Sequence, residues 1–312
     1  MLDGKKRFGL ALLLLASSSM ALGRPPRPVI AVIVSHAAPP FHEAMAGIRE
    51  AIRERNIEAD IQEFWLGGQT DQAEQTIAKA KENNARLILV LGSLAAEAIA
   101  KRNWGVPVVA GLVMDARSAG RGGKNSVTGV VLQHTVATHL NWLRRILPSA
   151  RTIGIIYNPT QNQQMITMAR QAADKEDLAI SAHAVTSPLD LPEALRQIEK
   201  TADVLWTIPD ALVSSPQTAK HLLLFSFRTR IPLVGISQAW VKAGALYALD
   251  WDYKDIGRQC AELTAKVLHG VTPASLTPVL ARKVIYYING RTASHMRLTI
   301  PEPWMERARH VY

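Results

Sequence analysis

The chain writes one α/β unit twice. The run Val29-Ile30-Ala31-Val32-Ile33-Val34 is followed by a polar loop, a helical stretch over 41–55 and a second extended run from Ala59. Thr152-Ile153-Gly154-Ile155-Ile156-Tyr157 opens the same pattern again, with its second run from Ala179. Third apolar runs follow in both halves, at 87–91 and 204–208. Short β-branched runs alternating with helical periods predict parallel sheets covered by helices, because a strand buried on both faces is apolar throughout. The fold class is therefore α/β, with two Rossmann-like lobes. A crevice between them is where loops at the strand ends of both lobes can meet. The length of 312 residues fits two domains of roughly 150 residues each.

The remaining segments divide between the lobes. Helices are expected over 71–83 and 94–101, the latter opened by Gly92-Ser93, and extended segments over 107–111 and 126–131. A helix over 136–147 carries Val136, Leu140, Leu143 and Leu147 on one face and stops at Pro148. Extended runs follow at 233–236 and 245–249, then a helix over 256–268 closed by Gly270. The run 285–288 should return the chain to the second lobe. The expected division is discontinuous: 28–132 with about 250–281 in the first lobe, and 133–249 with about 282–312 in the second, joined by a multi-strand hinge.

Residues 1–23 read as a signal peptide. Lys5, Lys6 and Arg7 precede an apolar run over 8–16, and Ala21 and Gly23 are spaced as an A-x-G cleavage site. The run is well short of the ~20 residues of a spanning helix. Cys260 is the single cysteine, so no internal disulfide forms, no cysteine follows the apolar run to carry a lipid, and a buried thiol is the reading of Cys260 itself. The expected place is the periplasm. Lysine and arginine outnumber the acids by 36 to 26, but they are scattered through helices and join no nucleic-acid motif, so nucleic acid is not an expected partner.

Several motifs fail on spacing. Gly235-Ile236-Ser237-Gln238-Ala239 approximates a nucleophile elbow but lacks the last glycine, and no strong helix is expected before Gly244. Gly120 to Lys124 resembles a phosphate loop with Asn125 where Ser or Thr is needed. His134 and His139 are not at the i, i+4 spacing of a helical metal pair, and His36 and His42 lack a third ligand, so isolated histidines and no metal are expected. No G-x-G-x-x-G follows a strand, and no cofactor is expected.

Ligands in open α/β sheets bind beyond the carboxyl ends of the strands. In the first lobe that rule selects Ser35, His36, Gly92, Ser93, Met114 and Asp115. In the second it selects Tyr157, Asn158, Pro209, Asp210, Ser237 and Gln238. Gly92-Ser93 at a helix start offers free N–H groups to a carboxylate. Asp115 and Asp210 can each receive an ammonium group, or serve a turn or cap. Phe41, Trp65, Trp206, Trp240 and Trp251 are candidates for a cleft wall or for core packing.

Four segments in order carry a family likeness. They are Leu143-Arg144-Arg145-Ile146-Leu147-Pro148-Ser149-Ala150-Arg151 running on through Thr152 to Asn158-Pro159; Ile231-Pro232-Leu233-Val234-Gly235; Gly244-Ala245-Leu246 with Asp252-Tyr253-Lys254-Asp255-Ile256-Gly257-Arg258-Gln259; and Ile285-Tyr286-Tyr287-Ile288-Asn289 with Leu298-Thr299-Ile300-Pro301. Through them the chain resembles the ABC-transporter substrate-binding proteins of the TrpX-like family. The resemblance implies a type I periplasmic binding fold that closes about a hinge, a small-molecule ligand such as an amino acid or related zwitterion, and delivery to an ABC permease in the inner membrane by a monomer that is not an enzyme. It implicates Ser93, Asp115, Asn158 and Asp210 in ligand contact. Met114-Asp115-Ala116 stands where the family often has Ser-Asp-Pro. Two other functions remain open on sequence: a sensing subunit for a membrane signalling partner, and an exported hydrolase using Ser237.

Overall fold

The computed structural model describes residues 27–69, 73–101, 103–120 and 127–312. The signal-peptide segment and Gly120 to Asn125, apart from Gly120 itself, lie outside the described residues. The first half runs β1 (Val29–Val34), α1 (Pro39–Glu54), β2 (Asp60–Trp65), α2 (Ala73–Glu82), β3 (Ala85–Leu91), α3 (Ser93–Ala100), β4 (Val108–Val113) and β5 (Val127–Val131). The second runs α4 (Val136–Ile146), β6 (Thr152–Tyr157), α5 (Pro159–Asp174), β7 (Ala179–Ala184), α6 (Leu191–Thr201), β8 (Val204–Trp206), α7 (Pro216–Thr229), β9 (Leu233–Gly235), α8 (Gln238–Ala243) and β10 (Tyr247–Trp251). The chain then continues through α9 (Tyr253–Leu268), β11 (Val279–Leu280), β12 (Val284–Ile288), α10 (Gly290–Met296), α11 (Glu302–Glu306) and β13 (His310–Val311).

The strands form two sheets, ordered β11-β5-β4-β3-β1-β2 and β13-β12-β10-β9-β8-β6-β7. The repeat read from the sequence is a repeat of topology. In each sheet the first strand lies between the second and third, and the fourth and fifth extend the same edge. The ladders are parallel except β10 with β12, which run antiparallel. Central strands are buried end to end, as in β4 and in β1 after its first residue, whereas edge strands β2 and β7 are only half-covered. That difference is why the central runs read as continuous apolar stretches.

Helices cover both faces of each sheet. One core of the first sheet joins β1 and β3 to α1 and α9, through Met45, Ile48, Ile256, Cys260 and Leu263. The other face packs on Ile77, Ala95, Ile99 and Trp104. The second sheet packs on α4 and α5 through Leu140, Leu143, Ile166 and Ala169, and on α6 and α7 through Ile198 and Leu222. The chain passes between the two sheets three times: between β5 and α4, between β10 and α9, and between β11 and β12. Cys260 is wholly buried on α9, and burial pushes its thiol up to about 12, so it stays an unreactive thiol.

Two local features differ from expectation. Residues after Ser237 do form a helix, the six-residue α8, ended by Gly244 at φ 124°. Its propensity is poor, but Val241 is fully buried and Trp240 closes on Gly235, so packing decides the conformation. The two-residue strands β11 and β13 are too short to show a period and exist only through their partners, β5 and β12.

Candidate functional site

The strand orders put a topological switch point beside β1 and β3 in one sheet, and beside β6 and β8 in the other. Most of the selected residues at those points serve the loops themselves. Ser35 is fully buried. Its N–H donates to the Leu91 carbonyl at 2.9 Å, and its Oγ accepts from the Ala95 N–H at 3.0 Å. It thereby caps α3, whose own cap residue, Gly92, has no side chain to offer. Gly92 sits at φ 93°, and a Cβ there would lie 2.6 Å from Ser35 Oγ, so the close approach requires glycine. Ser93 and His36 are exposed, with His36 edge-on to Phe41 at 5.5 Å. Asp115 is half-buried and accepts from the Arg117 N–H at 2.9 Å.

In the second lobe Asp210 is 4% exposed. It accepts from the N–H groups of Asn158 at 2.7 Å, Leu212 at 3.0 Å and Val213 at 3.1 Å, and from Asn162 Nδ2 at 2.8 Å. Four donors on two oxygens fill the acceptor capacity of a carboxylate. Asp210 therefore ties the loop after β6 to the loop after β8. Asn158 caps α5, accepting from the Thr160 N–H at 3.0 Å. Tyr157 is buried and donates to Gln163 Oε1 at 3.1 Å. Ser237 occupies the cap position of α8 without a side-chain cap bond.

A cavity of about 560 Å³ opens beside these loops, at the junction of the two sheets, within the usual ~300–1,000 Å³ of small-molecule sites. Trp206, Thr207 and Ile236 form its floor from the ends of β8 and β9, and Met165 and Met168 form a wall from α5. His134 and Trp251 come from two of the segments that join the lobes, and Met114 from the end of β4. None of Ser35, His36, Gly92, Ser93, Asp115, Tyr157, Asn158, Asp210 or Ser237 lines it. The chain neighbours Met114, Pro209 and Ile236 do. Of the aromatic candidates, Trp206 and Trp251 line the cavity. Trp65 instead stacks on His42 at 4.6 Å, and Phe41 and Trp240 pack against Gly92 and Gly235.

His134 and His139 are not isolated. The helical-spacing argument does not apply, because His134 precedes the cap residue Thr135 and only His139 is helical. Four rings form a chain: Trp251 stacks on His134 at 4.6 Å, His134 meets His139 edge-on at 5.7 Å, and His139 tilts on Trp206 at 4.9 Å. No group of three His, Cys, Asp or Glu side chains suited to a metal exists among the described residues. Burial holds His134 down to about 4, partly offset by a hydrogen bond to the Asp250 backbone. Burial, with the neighbouring His134, holds His139 down to about 3. Both are neutral imidazoles at pH 7. Among the described residues no Asp, Glu, Lys or Arg lines the cavity, so its described walls are uncharged.

The histidines make stability depend on pH. Their folded pKa values lie below the unfolded value of about 6.5, so the unfolded chain binds more protons as pH falls through that value. Stability is full above pH 6.5 and declines toward pH 4. Carboxyls held low by their partners, such as Glu50, Asp190 and Asp255, act in the same sense, but only as pH falls through the ordinary carboxylate range of about 4. Asp250, raised by burial, acts in the opposite sense, and His183, lowered by burial, acts in the same sense. Tm measured from pH 7 to 5 should fall in the wild type and fall less steeply in His139→Phe. Parallel slopes would show that His139 is charged in the folded state.

Two sheets of one strand order, crossed three times by the chain and flanking an uncharged cavity, define a two-lobed solute-binding protein of the type I periplasmic fold. Residues 29–312 match the model of the family described as ABC transporter substrate binding protein, and the chain belongs to that family. It is 25% identical over 260 residues to a tyrosine-binding protein of Clostridioides difficile (strain R20291), covering 77% of this chain and 72% of that protein. The ligand-free, open structure of a substrate-binding protein with adhesive properties from Clostridium difficile superposes with a TM-score of 0.73 at 19% identity, covering 91% of this chain and 99% of that one. An ABC domain from Streptococcus pneumonia in complex with L-Trp gives a TM-score of 0.58 at 19% identity, over 92% and 100% of the two chains. The family is one of substrate-binding proteins, and the function of this chain is binding, not catalysis. No helix of the described residues is long and apolar enough to cross a membrane.

Proposed function

We propose that the chain is the receptor of an ABC importer, exported by cleavage after residue 23, working as a periplasmic monomer and delivering its solute to an inner-membrane permease. The solute is an amino acid or related zwitterion. The observation that carries this reading is the uncharged cavity of about 560 Å³ to which both lobes contribute. The apolar part of the solute lies against Trp206, Met165 and Met168. On closure its charged end meets the first lobe at Ser93, which is exposed at the start of α3 outside the cavity lining, where the helix dipole favours a carboxylate. Contacts to both lobes favour the closed form over the open one. The names of the tyrosine-binding and L-Trp-bound relatives point to the same chemical class.

A thermal-shift screen of the purified protein against the twenty amino acids tests the reading. A ligand at 100 times its Kd adds about 2.7 kcal/mol of stability. Trp206 and Trp251 line the cavity, so a change in intrinsic fluorescence should accompany the shift. No shift with any amino acid would remove this solute class.

A further inference from the structure

Met114 is the most exposed large apolar side chain of the first lobe, 62% accessible, and it lies on the cavity. Its position is built. The ladder of β4 with β5 slips register between Ala110 and Val113, and Leu112 inside that slip is buried at φ 54°. A leucine in the left-handed region is strained and persists only where the surroundings enforce it. A bulge of this kind turns a strand end and re-aims the side chain beyond it. Here that side chain is Met114. The second lobe contributes Met165 and Met168 to the same cavity, at i and i+3 on one face of α5, with Met168 46% exposed. The remaining described walls are indole, neutral imidazole and aliphatic groups, with the neutral amides of Gln133 and Asn162 and the hydroxyls of Thr135 and Thr207.

We propose that Met114 is the specificity residue contributed by the first lobe, closing on Met165 and Met168 to seal the uncharged part of the solute between thioethers. This rests on the receptor reading above. The thioether is unbranched and polarizable, and it makes favourable contacts with aromatic rings while tolerating changes of shape. A pocket sealed this way accepts several flat, apolar-bodied solutes with similar strength, as adaptable methionine surfaces do. It disfavours solutes that carry a charge at that end, because no described side chain of the lining carries an opposite charge.

The test is calorimetric titration of the wild type, Met114→Leu and Met114→Asp with six probes: L-tryptophan, L-tyrosine, L-phenylalanine, L-leucine, L-glutamate and L-arginine. Met114 is exposed, so both variants should fold with unchanged Tm. The wild type should bind the three aromatic probes within about tenfold of one another, and glutamate and arginine at least a hundredfold more weakly. Met114→Leu should keep affinity for the aromatic probe that binds best and widen the spread among the three. Met114→Asp should weaken all three at least tenfold. Binding of aromatic probes that Met114→Asp leaves unchanged overturns the inference and leaves the receptor reading standing, as does preferential binding of glutamate or arginine. Failure of all six probes overturns this inference, while the screen of twenty amino acids decides the solute class separately.

Discussion

Gly257→Ala will destabilise the protein by about 3 kcal/mol or more, although alanine in the middle of a helix normally gains about 1 kcal/mol over glycine. Gly257 lies on α9 and Gly47 on α1, and the two helices cross at these residues. A Cβ on Gly257 would stand 2.0 Å from the Ala44 carbonyl oxygen, and one on Gly47 would stand 1.9 Å from the Lys254 carbonyl oxygen. Both obstacles are backbone, so no side-chain rotation relieves them. The helices must separate, and with them goes the packing of Met45, Ile48 and Ile52 against Ile256, Cys260 and Leu263. Urea denaturation of Gly257→Ala and Gly47→Ala measures the effect. A gain in stability in either variant would show that the helices do not approach so closely.

Asp210→Ala should cost about 3–5 kcal/mol, because one buried carboxylate answers three backbone N–H groups and the Asn162 amide. Truncation leaves those donors facing a void. At roughly 2–4 °C per kcal/mol for a domain of this size, Tm should drop by about 10 °C. The loops after β6 and β8 would lose their tie, and Pro209 and Asn162, which line the cavity, would move with them. Ligand affinity should fall as a consequence. The discriminating measurement is Tm without ligand: an unchanged value would mean that Asp210 is free of these bonds and available to an ammonium group.

How much of this was legible can be judged residue by residue. Short β-branched runs at β1, β6 and β3 announce their strands because in a parallel sheet each position of a central strand is buried, and burial selects apolar residues locally. Caps are less legible: Asn158 reads as a strand-end ligand contact and the helix after Asp252 as starting at Ile256, yet both residues cap helices. Ser35, Asn158 and Asp210 were correctly placed at strand ends, but the rule that selects strand ends does not say whether a polar side chain faces a ligand or a neighbouring loop. The cavity shows what that rule misses. His134 and His139 read as isolated histidines, and Trp206 and Trp251 as separate candidates for a cleft wall or for core packing; they meet only because segments distant in sequence pass side by side.

The sequence alone determined the α/β class, the doubling, the strand positions and the single inert thiol, since each follows from short-range pattern and burial. Only the tertiary structure decided which loops converge, that the described cavity walls carry no charge, and that α9 meets α1 through Gly257 and Gly47. Those depend on through-space neighbours far apart along the chain, and a pattern with a period of two or 3.6 residues carries no record of them.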